Sequence, residues 1–219
     1  MKVGEVEIKW LGHDGFLMIQ KGKNFYVDPF QIKEGLPKAD LILITHDHFD
    51  HCSLEDLSKI IRTGTKILLT PQSLSKVTKL DSSLNLEVIN VGGIANFHGC
   101  QLKFVPAYNI GKEFHPKEEG YVGCIFDFGN IQIYHAGDTD LIPEMKDFNS
   151  GGKNFIALLP VSGKYVMNSE EAFNAAKILH PTLAIPMHYG AIIGSIKDAN
   201  KFKDLCLTEG INVQILDKE

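Results

Sequence analysis

Leu41-Ile42-Leu43-Ile44-Thr45-His46-Asp47-His48-Phe49-Asp50-His51 decides how this chain is read. Its first four residues are an unbroken apolar run of the kind that forms a buried strand. Directly after them, residues 46 to 51 pack three imidazoles and two carboxylates. In an extended loop, residues two apart face the same way, so His46 and His48 can bind one ion while Asp50 and His51 turn toward a second. Imidazole nitrogen and carboxylate oxygen suit zinc, iron, manganese or nickel, and the donor types alone do not choose among them.

The rest of the composition sets the frame. A chain of 219 residues is long enough for one well-buried domain, and residues 1–219 are read as a single domain. Apolar residues at 44% and charged residues at 22% are ordinary globular values. A net charge of −5 disfavours nucleic acid as a partner, and no run approaches the roughly 18 apolar residues of a membrane span. The expected partner is a small-molecule substrate, and a homo-oligomer is compatible with the sequence. Cys52, Cys100, Cys124 and Cys206 are widely spaced, and the N-terminus lacks the apolar segment of a signal peptide, so a cytoplasmic location is expected.

Three strand-like runs, Val6 to Trp10, Phe16 to Gln20 and Asn24 to Val27, are punctuated by glycines and predict an antiparallel meander. After the histidine loop, Ser53 with Asp56 three residues on predicts a helix start reaching about Arg62. Lys66 to Thr70 reads as a strand and Pro71 as the opening of a second helix. Leu86 to Ala107 suggests antiparallel hairpins, and Gly129-Asn130 a tight turn between Tyr121 to Phe128 and Ile131 to Tyr134. Phe155 to Pro160 and Leu183 to Pro186 read as strands, helices are expected from Ser169 to His180 and from Ile196 to Leu207, and Val213 to Leu216 as a last strand. This order of hairpins and β-α-β units, given twice, fits an α/β four-layer αββα sandwich with two mixed sheets face to face and helices outside.

The His-x-His-x-Asp-His loop resembles the signature of the metallo-β-lactamase superfamily, and two later strand ends, His135-Ala136-Gly137-Asp138-Thr139 and Pro186-Met187-His188-Tyr189-Gly190, are similar to its later motifs. The resemblance implies that Asp138 bridges two ions and that His188 completes the site of Asp50 and His51. The superfamily usually has a third histidine just after the strand Leu102 to Ala107, whereas this chain has Tyr108-Asn109. His115 is assigned to complete the site of His46 and His48, because an imidazole serves a three-histidine set better than the amide of Asn109. His98 is the competing histidine, and it reads more simply as a hairpin residue.

Trp10-Leu11-Gly12-His13, Val27-Asp28-Pro29-Phe30 and Leu159-Pro160-Val161-Ser162-Gly163 draw the match toward the small lactonase-like metal-dependent hydrolases related to ascorbate phosphate lactonase. Without that resemblance, His13 and Asp28 would be read as turn residues. With it, they join Asn109, Lys112, Lys164 and Tyr189 as candidates to support the ligands or hold substrate.

Two divalent cations, zinc foremost with manganese, nickel or iron as alternatives, can share a water and present it as hydroxide at neutral pH. The expected activity is hydrolysis of a small ester, lactone or phosphodiester, with Asp50 orienting the nucleophile as catalytic residue. Two rivals use the same residues: redox chemistry with iron on the same fold, and a metal-binding module without turnover.

Overall fold

β1 Lys2–Val3, not expected from the sequence, precedes the predicted meander of β2 Val6–Gly12, β3 Gly15–Gln20 and β4 Lys23–Val27, and the four pair antiparallel in sequence order across turns at Gly4, Gly12 and Gly22. The chain then switches to parallel pairing through β5 Leu41–Ile44, β6 Lys66–Leu69 and β7 Asn85–Val88, which completes a seven-stranded mixed sheet. All four residues of β5 are buried, as expected of a strand covered on both faces. The connecting helices are α1 Leu54–Ile60 and α2 Pro71–Val77. Leu57, Ile60 and Val77 from these helices pack with Leu17, Ile42, Ile44, Ile67 and Leu69 from the sheet.

The second sheet repeats this order of pairing. β8 Ile94–Phe97, β9 Cys100–Pro106, β10 Val122–Asp127 and β11 Ile131–His135 are antiparallel, and β12 Asn154–Pro160 and β13 Leu183–Met187 continue parallel. Helices α3 Ser169–Leu179 and α4 Ile196–Thr208 complete it, and both begin with a capping box, on Asn168 and Ser195. Gly123 is required in β10, because a β-carbon there would stand 2.8 Å from the carbonyl oxygen of Ala136.

The computed structural model describes residues 1–80, 83–149 and 151–219. Two compact units are distinguished, Met1–Asn90 with Asp217–Glu219, which holds the seven-stranded sheet, and Val91–Leu216, which holds the six-stranded one. Among the described residues no helix is long and apolar enough to cross a membrane.

Three sequence expectations are corrected. Leu86 lies in a parallel strand beside β6 rather than in a hairpin, because an apolar run does not carry the direction of its partner. Val213 makes only an isolated bridge to Ala184, so the last strand is reduced to one pairing. Helix α1 stops at Ile60, where Ile61 takes an extended conformation.

Asp56 shows how loop and helix are joined. Ser53 caps α1 as predicted, but the Asp56 carboxylate accepts from the Gln31 and Ile32 amides, at 2.8 and 3.1 Å, and from Lys59 at 2.9 Å, thereby anchoring the segment that follows Asp28. Burial pushes this carboxyl up, yet Ser53, Lys59 and the two amides outweigh it and hold the group below its ordinary value of 3.8. A carboxyl depressed in the fold contributes stability that is complete above its unfolded-state value and is lost as pH falls through its folded-state value. The difference in urea-unfolding stability between the native chain and Asp56→Asn should therefore hold steady at neutral pH and shrink below about pH 4. A difference unchanged down to about pH 2 would contradict this account of the anchor.

Candidate metal centre

In the first unit the donors stand at the ends of β2 and β5. His46 and His48 bring Nε2 and Nδ1 to 3.1 Å of one another, so both nitrogens address the same point. Thr45 Oγ1 donates to Asp28 Oδ2 at 2.5 Å and lies 3.0 Å from His46 Nδ1. With its one proton committed to Asp28, the hydroxyl accepts from His46 Nδ1–H, so Nε2 carries the imidazole lone pair. Asp28 also accepts from the Thr45 amide at 2.9 Å and from His51 Nδ1 at 2.8 Å, which assigns the His51 lone pair to Nε2 in the same way. A carboxylate, a hydroxyl and two oriented imidazoles form the arrangement in which metal-binding histidines are held by their other nitrogen. Asp28, His46 and His51 place ligand-type atoms within 4.8 Å of one another, all buried.

Asp50 carries one of the loop's two carboxylates. Its Oδ2 lies 2.9 Å from His13 Nε2 and 3.8 Å from His51 Nε2. His13 is fixed in turn by Trp10 Nε1, which donates to its carbonyl at 2.9 Å. Lys76 of α2 donates to both the carbonyl and the carboxylate of Asp47, the latter at 2.8 Å, and so pins the turn between His46 and His48. Cys52 follows His51 but remains a thiol, since burial pushes its pKa up to about 11.

In the second unit, Asp138 follows β11 and meets two imidazoles: His115 Nε2 and His188 Nε2 each lie 3.3 Å from Asp138 Oδ2. Ser162 Oγ stands 2.8 Å from His188 Nδ1, and the Tyr165 carbonyl 3.2 Å from His115 Nδ1, so here again one nitrogen of each ring is held from behind. Asn109 donates through Nδ2 to the carbonyls of Phe114 and Tyr165, at 2.8 and 2.6 Å, and fastens the loop that carries His115. Lys112 donates to Asp140 and to the Val166 carbonyl, so its charge is balanced within the fold, while Lys164 lies over the Tyr165 ring. Tyr189 is buried next to His188 in sequence. His98 occupies the turn between β8 and β9 with a left-handed backbone, away in sequence from every other donor.

His13, Asp28, His115 and His188 have φ values of 51°, 42°, 59° and 58°, where a side chain with a β-carbon is strained. Lys21, Gln31, His98 and His180 take the same region outside both clusters, so this backbone marks tight turns as much as it marks the donors.

Three contributors escaped the sequence reading. Asp14 is fully buried, with Oδ2 3.6 Å from His51 Nε2; its one signal is a carboxylate beside His13 in a glycine-flanked turn. Thr45 and Ser162 have no signal of their own, since a hydroxyl beside an imidazole is visible only in three dimensions.

Two clusters of imidazole and carboxylate at strand ends define the class as metal-binding α/β proteins built on two mixed sheets. Residues 7–188 match the family model described as the beta-lactamase superfamily domain. The UPF0173 metal-dependent hydrolase Ta0764 of Thermoplasma acidophilum is 36% identical over 96% of this chain and 95% of its own length. A crystal structure from Parabacteroides distasonis shares 30% identity and a TM-score of 0.85, over 98% of this chain and 94% of the other. Igni18, a metallo hydrolase from Ignicoccus hospitalis, has 28% identity and a TM-score of 0.79, covering 97% and 95%. The chain belongs to the metallo-β-lactamase superfamily, within its UPF0173 metal-dependent hydrolase family.

Proposed function

We propose that residues 1–219 act as one catalytic domain that hydrolyses a small ester, lactone or phosphodiester with two divalent metal ions, zinc foremost, in a reducing cytoplasm. His46, His48 and His115 would hold one ion, Asp50, His51 and His188 the other, and Asp138 both. The observation that carries this reading is the consistent support of the imidazoles: His46 by Thr45, His51 by Asp28, His115 by the Tyr165 carbonyl and His188 by Ser162, each through Nδ1. A histidine that only fills a core also needs a polar partner; what sets these four apart is that each is anchored through the same nitrogen and turns Nε2 toward another imidazole or a carboxylate.

When bound, the two cations would supply a water acidified toward a pKa of ~7 and would polarise the attacked oxygen. The chain's own residues supply orientation. Asp50, held on Oδ2 by His13, accepts a hydrogen bond from the attacking water and fixes its direction. Asp28 and Thr45 keep His46 and His51 in the tautomers that present Nε2.

The assignment of His115 over His98 has a direct test. After zinc reconstitution, elemental analysis of His115→Ala should show the loss of about one ion per chain, whereas His98→Ala should match the native chain. Full occupancy in His115→Ala, with an ion missing from His98→Ala, would reverse the assignment.

A further inference from the structure

We infer that the substrate is an uncharged carboxylic ester or lactone with an apolar acyl arm, and that Phe49 is the residue that recognises this arm. The inference rests on the hydrolytic reading above and narrows its substrate class.

Phe49 stands between the donors His48 and Asp50 and is 67% exposed, which makes it the most exposed of the large apolar side chains in the described part of the chain. It is not a stray surface residue. Its ring meets the edge of Phe30 at 5.9 Å, Phe30 meets His13 at 5.9 Å, and His13 meets His51 at 5.7 Å. An aromatic shelf therefore runs from Phe49 directly to the ring that orients Asp50 and to a proposed metal ligand. Phe30 at its back is 9% exposed, so the shelf has a firm base and one open ring. A molecule with its reacting carbon beside Asp50 has its substituents within reach of that ring.

Charge points the same way. The charge of two divalent ions would already be met by Asp28, Asp50, Asp138 and the bound hydroxide, so an anionic phosphodiester needs further cations beside the donors. Lys76, whose ammonium reaches the His46–His48 turn, is paired with Asp47. Lys218, whose stem crosses Gly12, donates to the Gln31 carbonyl at 3.2 Å, and Lys9 is paired with Glu219 at 3.0 Å. An open aromatic surface whose neighbouring cations are already committed selects an uncharged, apolar group over an anionic one. In the reaction, water adds its oxygen to the acyl carbon, the acyl C–O bond breaks, and the leaving alcohol takes up a proton from that water.

The test has a binding arm and a turnover arm, both on the metal-loaded chain. Straight-chain alkyl hydroxamates from two to eight carbons, titrated by calorimetry, should bind about twofold more tightly per added methylene, roughly the effect of half-burying each one. The gradient should vanish in Phe49→Ser and return in Phe49→Leu; exposure at position 49 makes both replacements compatible with folding. p-Nitrophenyl esters from acetate to octanoate should follow the same gradient in kcat/KM and exceed bis(p-nitrophenyl) phosphate. A native gradient that is flat, one that persists unchanged in Phe49→Ser, or a kcat/KM for the phosphodiester above that of the best ester would overturn the inference. A normal hydroxamate gradient with no turnover of any ester would support Phe49 as an apolar subsite while removing the hydrolytic reading on which the substrate class rests.

Discussion

Asp50→Asn is expected to remain folded and to lose at least about 10²-fold in kcat, the usual cost of misplacing one reactant. Asparagine preserves the shape of the side chain but removes its charge, and its amide group can place a donor where the attacking water needs an acceptor. The His13 contact sharpens this expectation. In the native chain His13 Nε2 lies 2.9 Å from Asp50 Oδ2, so the carboxylate already has a fixed orientation before substrate arrives. Loss of kcat with KM little changed would identify an interaction realised in the transition state rather than in substrate binding. A variant that retained full metal occupancy and near-native turnover would remove Asp50 from the mechanism.

Asp28→Asn should lower metal affinity by about 10- to 100-fold, the range found when the partner behind a ligating histidine is lost. Asp28 is buried and serves the Thr45 amide, the Thr45 hydroxyl and His51 Nδ1 at once. An asparagine amide has one oxygen for these donors, so a donor must face a donor or Thr45 and His51 must turn. If His51 changes tautomer, its Nε2 gains a proton and can no longer ligate. Competition with a chelator measures the affinity; equal zinc affinity in native and variant chains, with both folded, would show that Asp28 only shapes the turn before Pro29.

Asp28 also shows where sequence reading stops. The loop from His46 to His51 was legible because its donors lie at fixed spacing after a continuous apolar strand, and covalent proximity alone brings them together. The meander from Val6 to Val27 was legible for a similar reason, as glycines and short apolar runs encode local hairpins. Asp28 taken singly looked like an Asp-Pro turn, since its three donors lie 17 and 23 residues away and only the parallel pairing of β4 with β5 brings them to it. Ser162 stands 26 residues before His188, and its role depends on the parallel pairing of β12 with β13. Asp14 was overshadowed by its neighbour His13. The direction of Leu86 and the brevity of the Val213 pairing were likewise decided by partners distant in the chain. Sequence thus marked the proposed ligands and, through the family resemblance, His13 and Asp28, while Asp14, Thr45 and Ser162 emerged only from tertiary structure.

The central claim is that His46, His48, Asp50, His51, His115, Asp138 and His188 serve one pair of metal ions. Elemental analysis of the purified, folded chain after zinc reconstitution and removal of loosely held metal tests it most directly. Seven ligand-type side chains exceed the four positions of one tetrahedral site, so the expected result is two ions per chain, falling to about one or fewer in Asp138→Ala. One ion or fewer in the native chain, or two ions retained in Asp138→Ala, would contradict the binuclear account.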